Sequence, residues 1–139
     1  MKLNELKSNL DRLNSDIKRI LKSSGYEDYA ELTVDYDSDN PDELMLHTEL
    51  SGVMSRLDEI TRALNYLNSP IKREGVLCKN GNGRYEIGDY ELTSGSPVEV
   101  LIYDDRWEWV SSRIEHDGRD YYLVGARDVD LNGLRGRIR

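Results

Sequence analysis

The stretch LNYLNSPIKREGVLCKNGNG, Leu64–Gly83, changes its period in the middle. Up to Leu67 the apolar residues recur at steps of three and four, the spacing of one face of a helix. Beyond Pro70 apolar and polar residues alternate and glycine punctuates the chain, which is the pattern of short strands. Asn68-Ser69-Pro70 is the boundary, because the residue before a proline is pushed out of helical geometry. The amino-terminal side reads as helices joined by a connection, and the part after it as sheet.

Upstream, the stripe that ends at Leu67 runs through Leu46, Leu50, Val53, Leu57, Ile60 and Leu64. Its start is well marked: Asn40 suits an N-cap, Pro41 the first helical position, and Asp42 and Glu43 the positive end of the helix dipole. A first helix carries Leu3, Leu6, Leu10, Leu13, Ile17 and Ile20, and Ser23-Ser24-Gly25 ends it, with Gly25 as a left-handed cap. Both stripes keep a seven-residue repeat, the seam of a coiled coil. The expectation is an antiparallel helical hairpin over residues 1–69 with an acidic connecting segment, 25–40. Such a hairpin buries too little surface to stand alone. Its stripe must meet the second half of the chain, another copy or a partner protein.

Downstream, Gly75–Lys79 and Arg84–Ile87 flank Asn80-Gly81-Asn82-Gly83, a strong hairpin signal. Val98–Ile102 leads through Asp104-Asp105 into Trp107–Glu115, and Asp117-Gly118 turns the chain into Tyr121–Val124. Leu134–Ile138 reads as a closing strand. Five or six short strands at this turn spacing point to a small barrel over residues 70–139, SH3-like before OB-type. The expected class is therefore α+β, helical hairpin followed by small antiparallel barrel.

The 139 residues are only 37% apolar and 33% charged, with a net charge of −8 and a pI near 4.8. A thin, carefully patterned core follows. No run approaches the roughly 20 apolar residues that span a bilayer, and neither a leader nor a membrane partner is expected; a cytoplasmic location is. A single cysteine, Cys78, excludes an internal disulfide, and in its strand it reads as a small core residue. With two histidines, no GxSxG, HExxH or Walker loop, neither an enzyme nor a metal or cofactor site is expected. Asp35-Tyr36-Asp37-Ser38-Asp39 begins like a calcium loop, but Asn40 and Leu46 stand where that loop needs Gly and Glu.

The blocks GRYEIGDYELTSGSPVEVLI (Gly83–Ile102), RIEHDGRDYYLVG (Arg113–Gly125) and LNGLRGRIR (Leu131–Arg139) carry a resemblance. Over roughly residues 73–139 the chain is similar to a small uncharacterised domain family, common in Firmicute genomes, plasmids, conjugative elements and phages. That family brings no activity, cofactor or catalytic residue. The resemblance implies a setting: an accessory protein of a mobile element, a group that includes inhibitors of host defence such as the type II anti-CRISPR proteins.

Three surfaces are candidates for function. Between Lys22 and Arg56 there is no basic residue but nine acids, with Tyr26, Tyr29 and Tyr36 interleaved. Within that window Asp35, Asp37, Asp39, Asp42 and Glu43 could imitate phosphates in an arginine-lined channel, with Tyr36 as an anchor. Second, alternation puts Trp107 and Trp109 on one face and Val110 and Ile114 on the other. If the aliphatic pair points inward, the tryptophans meet the helices or a partner. Third, Arg127, Arg135, Arg137 and Arg139 could touch nucleic acid, but residues 70–139 carry 11 basic against 13 acidic side chains, and a direct nucleic-acid role is the weaker expectation.

The favoured expectation is a non-enzymatic interaction protein that occupies a basic groove of a host protein, such as Cas9 or its guide-RNA complex. The alternatives are a homodimeric adaptor joined through the helical stripe, and a nucleic-acid-binding regulator using the barrel and the arginines.

Overall fold

The computed structural model describes all 139 residues, which divide into two compact units, Met1–Ser69 and Pro70–Arg139. The first contains α1 (Leu3–Ser23), α2 (Tyr26–Tyr29) and α3 (Pro41–Asn68). The second is built from β1 (Arg73–Lys79), β2 (Tyr85–Ile87), β3 (Tyr90–Glu91), β4 (Pro97–Asp104), β5 (Arg106–His116), β6 (Tyr121–Leu123) and β7 (Arg135–Ile138). The class is α+β, a helical part followed by a curled antiparallel sheet. No helix is long and apolar enough to cross a membrane.

In the helical unit, local chemistry sets the ends. The Asn40 side chain accepts hydrogen bonds from the backbone N–H groups of Asp42 and Glu43, at 3.0 and 3.4 Å, and Pro41 fills the position that has no N–H to satisfy. Gly25 closes α1 at φ +76°, and a Cβ there would collide with the Thr33 side chain. The close approach arises because the Thr33 N–H and hydroxyl both donate to the Ser24 carbonyl.

Lys7 and Asn68 are hydrogen-bonded, the Asn14 amide donates to Asn65 at 3.2 Å, and Ile17 and Leu21 share a small core with Met54. These contacts ascend α1 while descending α3, so the two helices run in opposite directions. Tyr26, Leu32 and Leu57 pack around that core. The buried face differs from the heptad stripe in the sequence. It is centred on Asn14, Ile17 and Leu21 in α1 and on Met54, Thr61 and Leu64 in α3. Ile17 and Leu64 turn inward, but Leu13 and Ile20 remain 50% exposed and Ile60 45%. The stripes are wider than one contact line, and the helices meet along one edge of each.

In the second unit the strand order is β3-β2-β1-β7-β4-β5-β6, antiparallel throughout. The chain-terminal strand β7 joins the two halves: Gly136 lies opposite Gly75 of β1 and Val100 of β4. A side chain there would enter the core, since a Cβ on Gly136 would sit 3.2 Å from Ile87 Cδ1 and Leu77 Cγ. The core itself gathers Leu77, Ile87, Leu92, Val100, Ile114 and Leu123, all nearly inaccessible. Cys78 is exposed, a correction to the sequence reading. Leu77 pairs with Ile87 and points inward, so its neighbour Cys78, opposite Glu86, must point out. The hairpin β4–β5 holds register from Pro97↔Arg113 to Asp104↔Arg106 without a bulge, with Asp105 at φ +60° as its turn.

Charge in this unit is mostly matched internally. Buried Glu99 takes both Arg137 and Arg139, Arg135 pairs with Glu74, and Lys79 with Asp120. At the β5–β6 turn the Asp117 carboxylate accepts the backbone N–H groups of Asp120 and Arg119 and meets Arg127 at 3.0 Å. The two N–H bonds first, and Arg127 after them, hold its pKa down at about 2.

Two outcomes follow from this packing. Gly136→Val is expected to lower the stability of the chain by about 1–3 kcal/mol through overpacking, read from urea unfolding followed by Tyr and Trp fluorescence. Asp117 stabilises the fold above its ordinary pKa of 3.8, and that contribution disappears as pH falls through about 2. The thermal midpoint of the native chain is expected to fall between these two pH values, and Asp117→Asn is expected to fall less over the same window.

Candidate functional site

The segment 32–36 runs beside the first turns of α3 and leaves a cleft of about 310 Å³ between them. Leu32, Val34, Leu46 and Leu50 supply apolar lining, while Asp35 and Glu43 bring carboxylates to it. Tyr36 lies flat against His47, their ring centroids 4.0 Å apart and their planes within 16°. The cleft exists because the cap of α3 folds the connection back: the Asp37 N–H donates to Glu43 Oε2 at 2.7 Å, and the Asp39 N–H to Asp37 Oδ1 at 3.0 Å.

The acids of the window therefore divide into two kinds. Asp37 and Glu43 help to shape the turn, each by accepting a backbone N–H. The carboxylates of Asp35, Asp39 and Asp42 accept no hydrogen bond, and none of the five acids forms an ion pair with a base. This separates the region from the β unit, where arginine and lysine are engaged with acids along most of the sheet. An unpaired cluster of one sign produces a sustained local potential, and it attracts cationic groups at long range. The apolar lining gives those groups a place to desolvate beside it.

Asp35, Tyr36 and Glu43 thus meet at one cleft, with Asp37, Asp39 and Asp42 on the adjoining turn. Sequence reasoning missed Leu32, Val34 and His47 as lining residues. Leu32 and Val34 alternate along an extended segment and could have been found by that period, whereas the Tyr36–His47 stack depends on the fold-back of the connection.

Trp107 and Trp109 lie in the other unit, on the face of β5 opposite Val110 and Ile114. Trp107 is 62% exposed near the hairpin tip and meets its cross-strand neighbour Tyr103 edge-on, at 5.2 Å between centroids. Trp109 is half-buried beneath the Arg137 guanidinium, 3.9 Å from its ring centroid, with Arg135 at 5.8 Å. The two tryptophans have different work: Trp109 is a packing platform for arginines, and Trp107 is an open aromatic. Arg135 and Arg137 are each tied to a carboxylate as well, Glu74 and Glu99, which takes away the free cations that a phosphate backbone would need.

A larger polar recess of about 640 Å³ in the β unit includes Lys79, Tyr85, Asp117, Asp120 and Arg127. Lys79 and Arg127 are each paired with an acid there, whereas Asp128 and Asp130, which also line it, form no ion pair. Lys79 donates to Asp120 at 2.6 Å and holds that carboxyl below its usual range, as the Asp120–Arg119 amides and Arg127 do for Asp117.

Residues 75–138 match the model of a domain of unknown function, DUF5348. The matched segment runs from β1 to the end of β7 and leaves the helical unit outside it. No curated protein and no solved structure matches the chain.

Proposed function

We propose that the chain is a non-enzymatic protein-interaction module whose helical unit docks a basic, partly apolar protein surface in the cleft between segment 32–36 and α3. One observation carries this reading: the five acids around the cleft form no ion pair, although the β unit pairs eight of its eleven basic side chains with acids. Apolar lining beside free carboxylates suits an amphipathic segment that presents Lys or Arg next to Leu or Ile. Tyr36, stacked on His47, supplies a rigid aromatic edge at the rim, the kind of group that anchors interfaces.

Within that class we assign the target as a groove built for nucleic acid, where spaced carboxylates replace phosphates. The mobile-element setting implied by the sequence resemblance makes a host defence nuclease, Cas9 with its guide RNA, the target to examine first. For the β unit we favour an SH3-like barrel, because its last strand bridges the first strand and the β4–β5–β6 meander. That unit acts as the scaffold, and Trp107 is its additional contact.

The test uses two probes on the full chain: guide-loaded Cas9, and an amphipathic Lys/Leu helical peptide. Binding to each is measured over a range of salt, beside the variant that combines Asp35→Asn, Asp37→Asn, Asp39→Asn, Asp42→Asn and Glu43→Gln. The expected result is a loss of at least about tenfold in affinity and a flatter salt dependence. Equal affinity and equal salt slope in the two proteins would sink the proposal; absence of any Cas9 binding by the native chain would remove that target alone.

A further inference from the structure

The contact line between α1 and α3 leaves a second apolar face, and its geometry is regular. On α1, Leu13 immediately precedes buried Asn14, and Ile20 precedes buried Leu21. On α3, Val53 precedes buried Met54, and Ile60 precedes buried Thr61. One residue back is a rotation of about 100° on each helix. In two antiparallel helices facing one another, equal rotations of this sense bring both stripes to the same side of the pair. The pairing of Lys7 with Asn68 and of Leu21 with Met54 sets the levels. Leu6 is then level with Leu67, Leu13 with Ile60, and Ile20 with Val53. These six side chains are 42–52% exposed and form three rungs at heptad spacing.

We propose that this face binds a second copy of the chain, forming a two-fold dimer in which the two helix pairs stack as a four-helix bundle. Area is the first argument. Six half-exposed aliphatic side chains, with Leu46 and Leu50 extending the stripe on α3, expose on the order of 600–700 Å² per copy. That approaches the ~800 Å² per partner of a standard interface and exceeds the ~300–600 Å² patch usual on a monomer.

Charge is the second argument, and it selects both occupant and arrangement. α1 has five basic and three acidic side chains, whereas α3 has two basic and five acidic. A two-fold axis parallel to the helices places α1 over the second copy's α3, joining opposite signs. An axis across the helices would place α1 over α1 and α3 over α3, joining like signs. A four-helix bundle with all neighbours antiparallel has the crossing geometry that heptad-spaced stripes favour. The dimer leaves the connection at 32–36 out of its core, and it shares only Leu46 and Leu50 of α3 with the docking cleft.

Sedimentation equilibrium of the full chain from about 1 to about 100 µM tests this. The expected mass rises toward twice 16.0 kDa, and the dissociation constant increases with salt. Leu13→Glu with Ile60→Glu is expected to weaken the dimer at least about tenfold while circular dichroism retains its helical signal. A chain that stays at monomer mass throughout, or a dimer indifferent to the two glutamates, overturns the proposal. Should the double variant lose helicity, the native chain decides: a helical melting midpoint that rises with protein concentration supports the dimer, and one independent of concentration overturns it.

Discussion

Two antiparallel helices share a single contact line, and α1 and α3 carry more apolar surface than one line can cover. That constraint governs the amino-terminal half. The line that is used is partly polar, with Asn14 hydrogen-bonded to Asn65 and Thr61 buried nearby, while purely aliphatic positions such as Leu13 and Ile60 are left outside. A polar side chain at such a seam fixes register at some cost in stability. The small core around Ile17, Leu21 and Met54 is consistent with a unit that gains further stability by association.

The β unit is organised differently. Its terminal strand sits between β1 and β4, so the sheet depends on residues far apart in sequence coming together at Gly136. Its surface charges are largely matched, down to buried Glu99 serving two arginines and Asp117 held by a turn. A self-satisfied unit of this kind makes a stable scaffold. The unpaired acids and the uncovered aliphatic rungs are both on the helical half, outside the segment that matches a domain of unknown function.

The sequence made much of this legible, for physical reasons that differ from place to place. Asn40-Pro41 and Gly25 act through local backbone chemistry, so the helix ends could be read directly. Asn80–Gly83 and Asp117-Gly118 likewise marked turns that hold whatever surrounds them. The rotation of the helices could not be read. A wide stripe has two edges, and the apolar pattern does not say which edge meets the neighbouring helix; polar Asn14 and Thr61 in the contact line ran against the pattern altogether. β3 is only Tyr90–Glu91, too short for any period, and α2 is one turn. Of the candidate site, the concentration of acids was plain, but the apolar lining came from the fold-back of segment 32–36 onto α3, which rests on the Glu43 bond to the Asp37 N–H. Cys78 shows the same limit in the sheet: a one-residue change of facing follows from Leu77 pairing with Ile87.

We propose that the helical half is the associating half of the chain. Hydrogen exchange of the intact protein, followed by mass spectrometry at low and high concentration, addresses it most directly. Amides of α1 around Leu13 and of α3 around Ile60 are expected to exchange more slowly at high concentration, while those of β1, β4 and β7 do not change. Exchange in α1 and α3 that is independent of concentration, or protection that grows in the β strands instead, would contradict it.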